Sequence, residues 1–447
     1  MPSALLALAA FIAVIIVWSA VFKRNMGEAM LLGFLATCLF AGGDFFNALV
    51  SGLVKTTENE VIYAALAFVF MAYMIDRTGI IKRILDILNA ALGRLRGGPA
   101  FVDIIASGVM GALSGSNSGN VASTGSVTGP WMVRNGFSRA RAATILAGNG
   151  GMGAALPPSS SMVIMLGFAG TAVSTGSVYL ALLVSGLYQI LHRLVVAAVF
   201  VRVDRVRAIG DEARQPLGLV WRAGWTSTLI YLGALIPIVV TTGPLSAWLS
   251  EDGRLGDALG DISLITWIPI LIILIAAVVG RRELPRGGRQ WYEFVLGAMP
   301  RLGTIGALLI FAMAASGVLS DLGLADDVEQ VLAYFNAGPF LMVALTVVLI
   351  TVVAIPLTST AALTAVGQIS FLSLVAVGVD PVLAVTVPLI AASTEGSSPP
   401  SAPIFIASGI VGVKAEKTFL PLIAFYLVPI VLLACLVGWG VLPVFVV

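Results

Sequence analysis

The sequence predicts an all-α polytopic membrane protein, with about 10 transmembrane crossings and two re-entrant hairpins arranged as two inverted-topology repeats. Three observations carry this prediction. Hydrophobic residues make up 59% of the 447 residues and charged residues 11%, at a mean hydropathy of +1.02; soluble domains carry roughly 25% charged residues. Apolar stretches of about 20 residues, enough for one helix to cross a hydrocarbon core, recur along the chain. A block of sequence also repeats at a fixed offset. In lipid only helices or a closed barrel satisfy every backbone polar group, and these apolar runs are continuous rather than alternating, so helices are expected.

Taken in order, the expected crossings are 4–22, 28–52, 58–76, 139–172, 178–200, 225–243, 262–280, 291–320, 381–411 and 418–444. The first is read as a retained helix with its N-terminus outside, because Lys23 and Arg24 follow the apolar run, whereas a signal peptide carries its positive charge before it. Segments 99–133 and 338–376 are too long for one crossing and are interrupted by small polar residues, so each is expected to enter and leave on one side. Short amphipathic stretches, 79–95 and 323–335, precede these hairpins.

Cytoplasmic loops are enriched in Lys and Arg. With the N-terminus outside, this layout puts 23 of the 25 basic residues inside, leaving only Lys55 and Arg254. The outside segments instead carry Glu58, Glu60, Glu251, Asp252, Asp257, Asp261, Asp321, Asp326 and Asp327. Both termini are therefore expected on the outer side of the membrane. Asp103 is placed at the cytoplasmic interface by its position near the start of the first hairpin. His192, near the inner end of a crossing beside Arg193, is read as an interfacial side chain that snorkels rather than as a proton relay.

The repeat shows first in two Pro-Pro pairs, Pro157-Pro158 and Pro399-Pro400, which lie 242 residues apart. At that offset Gly115–Gly170 aligns with Leu357–Gly412 without a gap, with eleven identities in 56 positions. The hairpins and the flanking crossings fall into register too. Five crossings separate the repeat starts, and an odd number inverts the second copy. The expected organisation is N-terminal scaffold helices (1–57), a first repeat (58–203, with hairpin 99–133 and broken helix 139–172), a linker with scaffold helices (204–299) and a second repeat (300–447, with hairpin 338–376 and broken helix 381–411). Inverted repeats with helices broken near the midplane are a secondary-transporter architecture.

Four small-polar clusters mark the interruptions: Leu113–Thr124 and Pro356–Thr364 at the hairpin tips, Gly148–Ser161 and Ser393–Pro403 in the broken crossings. Proline removes a helix donor and clashes with the preceding turn. Each break thus exposes carbonyls on one side and helix N-terminal N–H groups on the other. Carbonyl and hydroxyl oxygens suit a hard cation such as Na⁺, and helix N-termini suit an anion. Small residues also line ordinary helix contacts in membranes, but four clusters paired by a repeat and tied to tandem prolines favour a binding site. Glu395 lies in a break itself, where an ionisable residue is a functional candidate. The cation candidates are Ser116, Asn117, Asn149, Gly151, Ser359, Thr360, Thr394, Glu395 and Gly396; the substrate candidates are Ser118, Pro157, Ser159, Thr358, Ser397, Ser398 and Pro399.

Other function classes fit poorly. The sequence offers no Ser/His/Asp or metal-ligand constellation and no phosphate-binding G-x-x-x-x-G-K-[ST] loop, which argues against an enzyme or an ATP-driven pump and needs no cofactor beyond a coupling ion. Basic residues are dispersed over short loops at a net charge of +2, so nucleic acid is not an expected partner. Cys38 and Cys435 sit in apolar segments without metal or redox spacing.

At the polar clusters the sequence resembles the large permease subunit of the tripartite ATP-independent periplasmic transporters. The resemblance rests on Ser114-Gly115-Ser116-Asn117-Ser118, Gly125-Ser126, Pro130, Asn135-Gly136-Phe137 and Pro157-Pro158-Ser159 in the first repeat. In the second it rests on Thr360-Ala361-Ala362-Leu363, Gly378-Val379-Asp380-Pro381 and Ser398-Pro399-Pro400. It implies an elevator-type, Na⁺-coupled importer of organic anions, partnered by a periplasmic substrate-binding protein and a small four-helix permease subunit. The sequence departs from the family where Leu357-Thr358-Ser359-Thr360 replaces a common Leu-Asp-Pro-Thr, and Glu395 is a candidate to replace that carboxylate. Two other readings remain open: a stand-alone Na⁺- or H⁺-coupled carboxylate permease of the same superfamily, and a membrane assembly subunit that transports nothing.

Overall fold

A computed structural model describes residues 3–57, 60–93, 95–206, 216–241, 245, 248–249, 263–324, 326–327, 330, 338–355 and 357–445. All regular elements among them are helical, as the composition predicts. Among the described residues, six helices are long and apolar enough to span a bilayer unaided, including Arg139–Ala172, Thr175–Val203 and Gly288–Asp321. Shorter apolar helices, Ala4–Ile16, Met26–Leu39 and Leu264–Val279, lie on other expected crossings. Glu58, the loop carrying Glu251, Asp252, Arg254, Asp257 and Asp261, and most of 323–335 lie outside the described residues.

One expected crossing is divided. Segment 28–52 forms two helices, Met26–Leu39 and Phe45–Thr57, joined by a tight turn at Gly42–Asp44. The cause is local: Gly42 takes φ +60°, which a glycine adopts without steric cost. The opposite happens in Gly288–Asp321, which runs 34 residues without interruption although Pro300 lies inside it.

The helices sort into a periphery and a centre. Peripherally, Met26–Leu39 packs on Ser3–Ile16 and on Gly288–Asp321, and Glu60–Arg77 packs on Leu264–Val279. Centrally, two helical hairpins, Gly98–Ser114 with Asn117–Arg134 and Pro339–Ala354 with Ser359–Ala376, lie against two interrupted helices. The first interrupted helix runs Arg139–Gly150, Met152–Ala155 and Ser160–Ala169; the second runs Pro381–Ala392, a turn at Ser393–Ser397, and Ala402–Val411. In Arg139–Ala172, 89% of the most apolar window is buried, against 33% in Glu416–Gly438. The interrupted helices are therefore enclosed by protein, where irregular backbone is tolerated in membranes.

The 242-residue offset carries over into backbone. Asn117–Arg134 and Ser359–Ala376, Arg139–Gly150 and Pro381–Ala392, and Ser160–Ala169 and Ala402–Val411 begin 242 residues apart. The cap positions match as well. Ser116 and Thr358 accept backbone N–H groups three residues on, and Ser138 and Asp380 likewise cap the interrupted helices. Such caps satisfy donors that helix geometry leaves unpaired. Both Pro-Pro bonds are cis.

Candidate functional site

The two hairpin tips and the two breaks meet at one place. At the first tip, Gly98–Ser114 ends on Gly115 with φ +62°, a left-handed conformation, and a Cβ there would collide with Ser160. The chain then turns at Ser116 into Asn117–Arg134. The first break follows Gly148-Asn149-Gly150-Gly151, the second Thr394-Glu395-Gly396. These glycines let the breaks approach each other backbone to backbone. A Cβ at Gly151 would strike the Ser393 carbonyl oxygen, and one at Gly396 would strike the Ala147 carbonyl and meet Gly151 N at 2.8 Å.

Glu395 links the tips. Its carboxylate is 1% exposed, and Oε2 accepts from Asn117 Nδ2 at 2.9 Å and from Ser359 N at 2.7 Å. One oxygen thus holds the first residue of the helix following each tip. Of the cation candidates, Asn117, Asn149, Gly151, Ser359, Thr360, Thr394, Glu395 and Gly396 are buried here. Ser116 instead faces a cavity. The Oδ1 atoms of Asn117 and Asn149 and the Ser359 hydroxyl are buried without a hydrogen-bond partner among the described residues. Oxygen atoms in that condition fit a hard cation, since buried polar groups are otherwise satisfied.

The substrate candidates are more dispersed. Ser118 has a buried hydroxyl without a partner among the described residues. Thr358 is exposed and occupied as a helix cap. Ser159 caps the helix after the first break, and Ser397 and Ser398 both donate to the Thr394 carbonyl, at 3.1 and 2.8 Å. Pro157 is buried and Pro399 half-buried. The hydroxyls of Ser159, Ser397 and Ser398 thus stabilise the breaks themselves.

Three site features escaped the sequence reading. Asp103 is fully buried rather than interfacial: its oxygens accept from Thr128 Oγ1 at 2.6 Å and from Asn149 Nδ2 at 2.8 Å. Arg193 is also fully buried, with Nε and Nη2 donating to the Gly148 carbonyl at 3.3 and 3.1 Å. Its neighbour His192 is half-buried, edge-on to Tyr426. Third, a cavity of about 660 Å³ separates the first tip, through Ser116, Gly119 and Ser123, from Asp76, Arg301 and Thr304 of the peripheral helices. Among the described residues no group of three or more His, Cys, Asp or Glu side chains is placed to hold a metal.

A family model, the tripartite ATP-independent periplasmic transporter DctM component, matches residues 4–443. The chain belongs to that family. Family membership agrees with a multi-pass transport protein and with the resemblance read from the polar clusters. The C4-dicarboxylate TRAP transporter large permease protein DctM of Pseudomonas aeruginosa is 29% identical over 276 residues, covering 57% of this chain and 64% of that protein. The isethionate TRAP transporter permease protein DctMQ of Oleidesulfovibrio alaskensis is 25% identical over 408 residues, covering 89% of this chain and 60% of that protein. The chain therefore spans somewhat less than two thirds of either relative. Two solved structures share the fold of this DctM-family chain. MtrF of Neisseria gonorrhoeae has a TM-score of 0.60 at 14% identity, covering 90% of this chain and 85% of its own. The YdaH transporter of Alcanivorax borkumensis has a TM-score of 0.55 at 17% identity, covering 88% of each.

Proposed function

We propose that this DctM-family chain is the large membrane subunit of a secondary transporter that imports small organic anions, driven by Na⁺, in the bacterial inner membrane. The observation that carries the proposal is the Glu395 carboxylate holding both hairpin tips against the two breaks. The helices that start at Asn117 and Ser359 aim their N-terminal ends at one region, where the helix dipole favours an anion, and the unpartnered oxygens of Asn117, Asn149 and Ser359 beside them suit a cation. Anion and cation sites in contact stabilise each other electrostatically, which is the physical basis of symport. The named relatives carry C4-dicarboxylate and isethionate, so small carboxylates and sulfonates are the substrates to try.

In this reading the hairpins and interrupted helices of segments 58–203 and 300–447 form an inverted pair that moves as one body against peripheral helices from 1–57 and 204–299. That is elevator transport, with both termini periplasmic. A periplasmic binding protein delivers the anion, and a small four-helix subunit braces the periphery; the fused DctMQ relative agrees with a membrane partner of that kind. The test is uptake of succinate and isethionate into proteoliposomes containing this chain and the candidate small subunit, with the loaded binding protein outside. Inward Na⁺ and H⁺ gradients are imposed separately. Na⁺-driven uptake is expected. Uptake driven by H⁺ alone, or no uptake of any small organic anion, would overturn the proposal.

A further inference from the structure

We infer that Asp103 is a positioning residue for the coupling cation: it fixes the Asn149 amide so that its oxygen, like that of Asn117, is left free of the carboxylate at the Gly148–Gly153 break. This rests on the Na⁺-coupled reading and extends it to Asp103, which the sequence assigns to the interface rather than to the site.

The starting point is an orientation that chemistry forces. An ionised carboxylate only accepts hydrogen bonds, whereas an amide donates from Nδ2 and accepts at Oδ1. Asp103 Oδ2 lies 2.8 Å from the Asn149 amide, so Nδ2 faces the carboxylate and Oδ1 points away from it. That Oδ1 is buried and has no partner among the described residues. Glu395 and Asn117 repeat the arrangement, with Nδ2 on the carboxylate and Oδ1 left over. Asn120 instead meets the break through its nitrogen: Nδ2 donates to the Ser107 and Gly150 carbonyls at 2.9 and 3.3 Å.

These asparagines converge on one stretch of backbone. A Cβ built at Gly153 would lie 2.9 Å from Asn117 Oδ1, and one at Gly150 would lie 3.1 Å from the Asn117 carbonyl. Asn120 binds Gly150 directly, and Asn149 precedes it in sequence. Leaving the Asn117 and Asn149 amide oxygens buried and unpaired is costly, and a bound cation is what such oxygens satisfy. A carboxylate behind an amide withdraws its proton side and makes the oxygen a stronger donor, as outer-shell partners do for metal ligands. Charge points the same way. Asp103, Glu395 and Arg193 are the buried charges around the breaks; in their charged forms one monovalent cation brings them to neutrality. Among the described residues no ion pair involves either carboxylate.

The experiment is thermal unfolding of the purified chain in detergent while Na⁺ replaces choline at constant ionic strength. The wild type should be stabilised saturably by Na⁺ and not by K⁺. Asp103→Asn removes the group that fixes the amide, and the half-saturating Na⁺ concentration should rise about tenfold, while the melting temperature in choline falls little. A structural role predicts the reverse: a lower melting temperature in choline and unchanged half-saturation. Because Asp103→Asn could fold poorly, the exchange Asp103→Asn with Asn149→Asp keeps one amide donating to one carboxylate and places a charged oxygen toward the break. It should bind Na⁺ at least as tightly as the wild type. Wild-type half-saturation in Asp103→Asn, or a folded exchange variant that Na⁺ does not stabilise, overturns the role of Asp103 alone. A wild type indifferent to Na⁺ overturns the coupling reading, and this one with it.

Discussion

Asn117 Nδ2 and Glu395 Oε2 lie 2.9 Å apart although 278 residues separate them in the chain. The contact joins the tip of one hairpin to the break of the other interrupted helix, and Ser359 N adds the second hairpin to the same oxygen. Glu395→Gln should therefore act on cation use. A glutamine can keep its carbonyl oxygen on both donors, but it removes the negative charge and puts an NH₂ where the second carboxylate oxygen stood. Na⁺ half-saturation of uptake should rise roughly tenfold, equivalent to about 1.4 kcal/mol, while the ranking of competing anions stays the same. A changed anion ranking with an unaltered Na⁺ curve would place Glu395 at the substrate instead.

The glycines at the breaks give a stability prediction with an internal control. Gly151→Ala puts a methyl group against the Ser393 carbonyl and Gly396→Ala puts one against the Ala147 carbonyl, backbone in both cases, with no side chain able to move aside. Overpacking of this kind costs typically about 1–3 kcal/mol. Gly409 lies in the helix Ala402–Val411 with nothing within 4 Å of a new Cβ, so Gly409→Ala should be neutral or stabilising by up to about 1 kcal/mol. Melting temperatures of the three variants in detergent check the contrast. Equal values would mean that the breaks are not held in contact.

Much of this was legible in the sequence. The Pro-Pro offset located both interrupted helices and both hairpins, because a break needs proline and glycine at fixed places and a repeat shows them twice. Glu395 stood out because carboxylates are rare in apolar segments. What it touches was not legible, since Asn117 is brought to it only by packing of distant helices. Asp103 was misplaced, and Arg193 passed over, for one reason: a charge near the end of an apolar run is ordinarily assigned to the interface. Here Gly98–Ser114 packs against Met152–Ala155, and the partners of both charges come from Gly148 and Asn149, 45 and 46 residues away. The divided crossing at Gly42 was hidden by hydropathy, which is insensitive to a turn between two apolar helices.

The cavity beside the first tip makes a prediction about substrate affinity. Arg301 and Asp76 face each other across 3.8 Å with side chains 57% and 48% exposed, and pairs so exposed contribute little, typically below about 1 kcal/mol. The guanidinium is thus available to an anion entering the cavity that both residues line. Arg301→Gln should raise the KM for a dicarboxylate severalfold and leave Na⁺ half-saturation unchanged. Asp76→Asn should lower that KM by removing the competing carboxylate. If both variants keep the wild-type KM, anions do not pass through this cavity.

Arg193 makes the last prediction, and it concerns what holds the breaks open. Its guanidinium donates twice to the Gly148 carbonyl, and Nη1 donates to the Gln189 main-chain and side-chain oxygens at 3.2 Å. Ser393 Oγ donates to the same Gln189 side-chain oxygen, also at 3.2 Å. One turn of the helix Thr175–Val203 therefore braces both breaks, with a positive charge placed near the C-terminal end of Arg139–Gly150, where carbonyls lack helical partners. Arg193→Ala leaves the Gly148 carbonyl unsatisfied in a buried place. Leaving a buried acceptor unsatisfied costs about 1–3 kcal/mol, so folded protein in detergent should fall. Arg193→Lys keeps the charge but cannot fork to two acceptors in a fixed plane, and should recover part of the loss. Because the brace spans both breaks, the stability costs of Arg193→Ala and Ser393→Ala should combine to less than their sum. Strict additivity would show that the two breaks are braced independently.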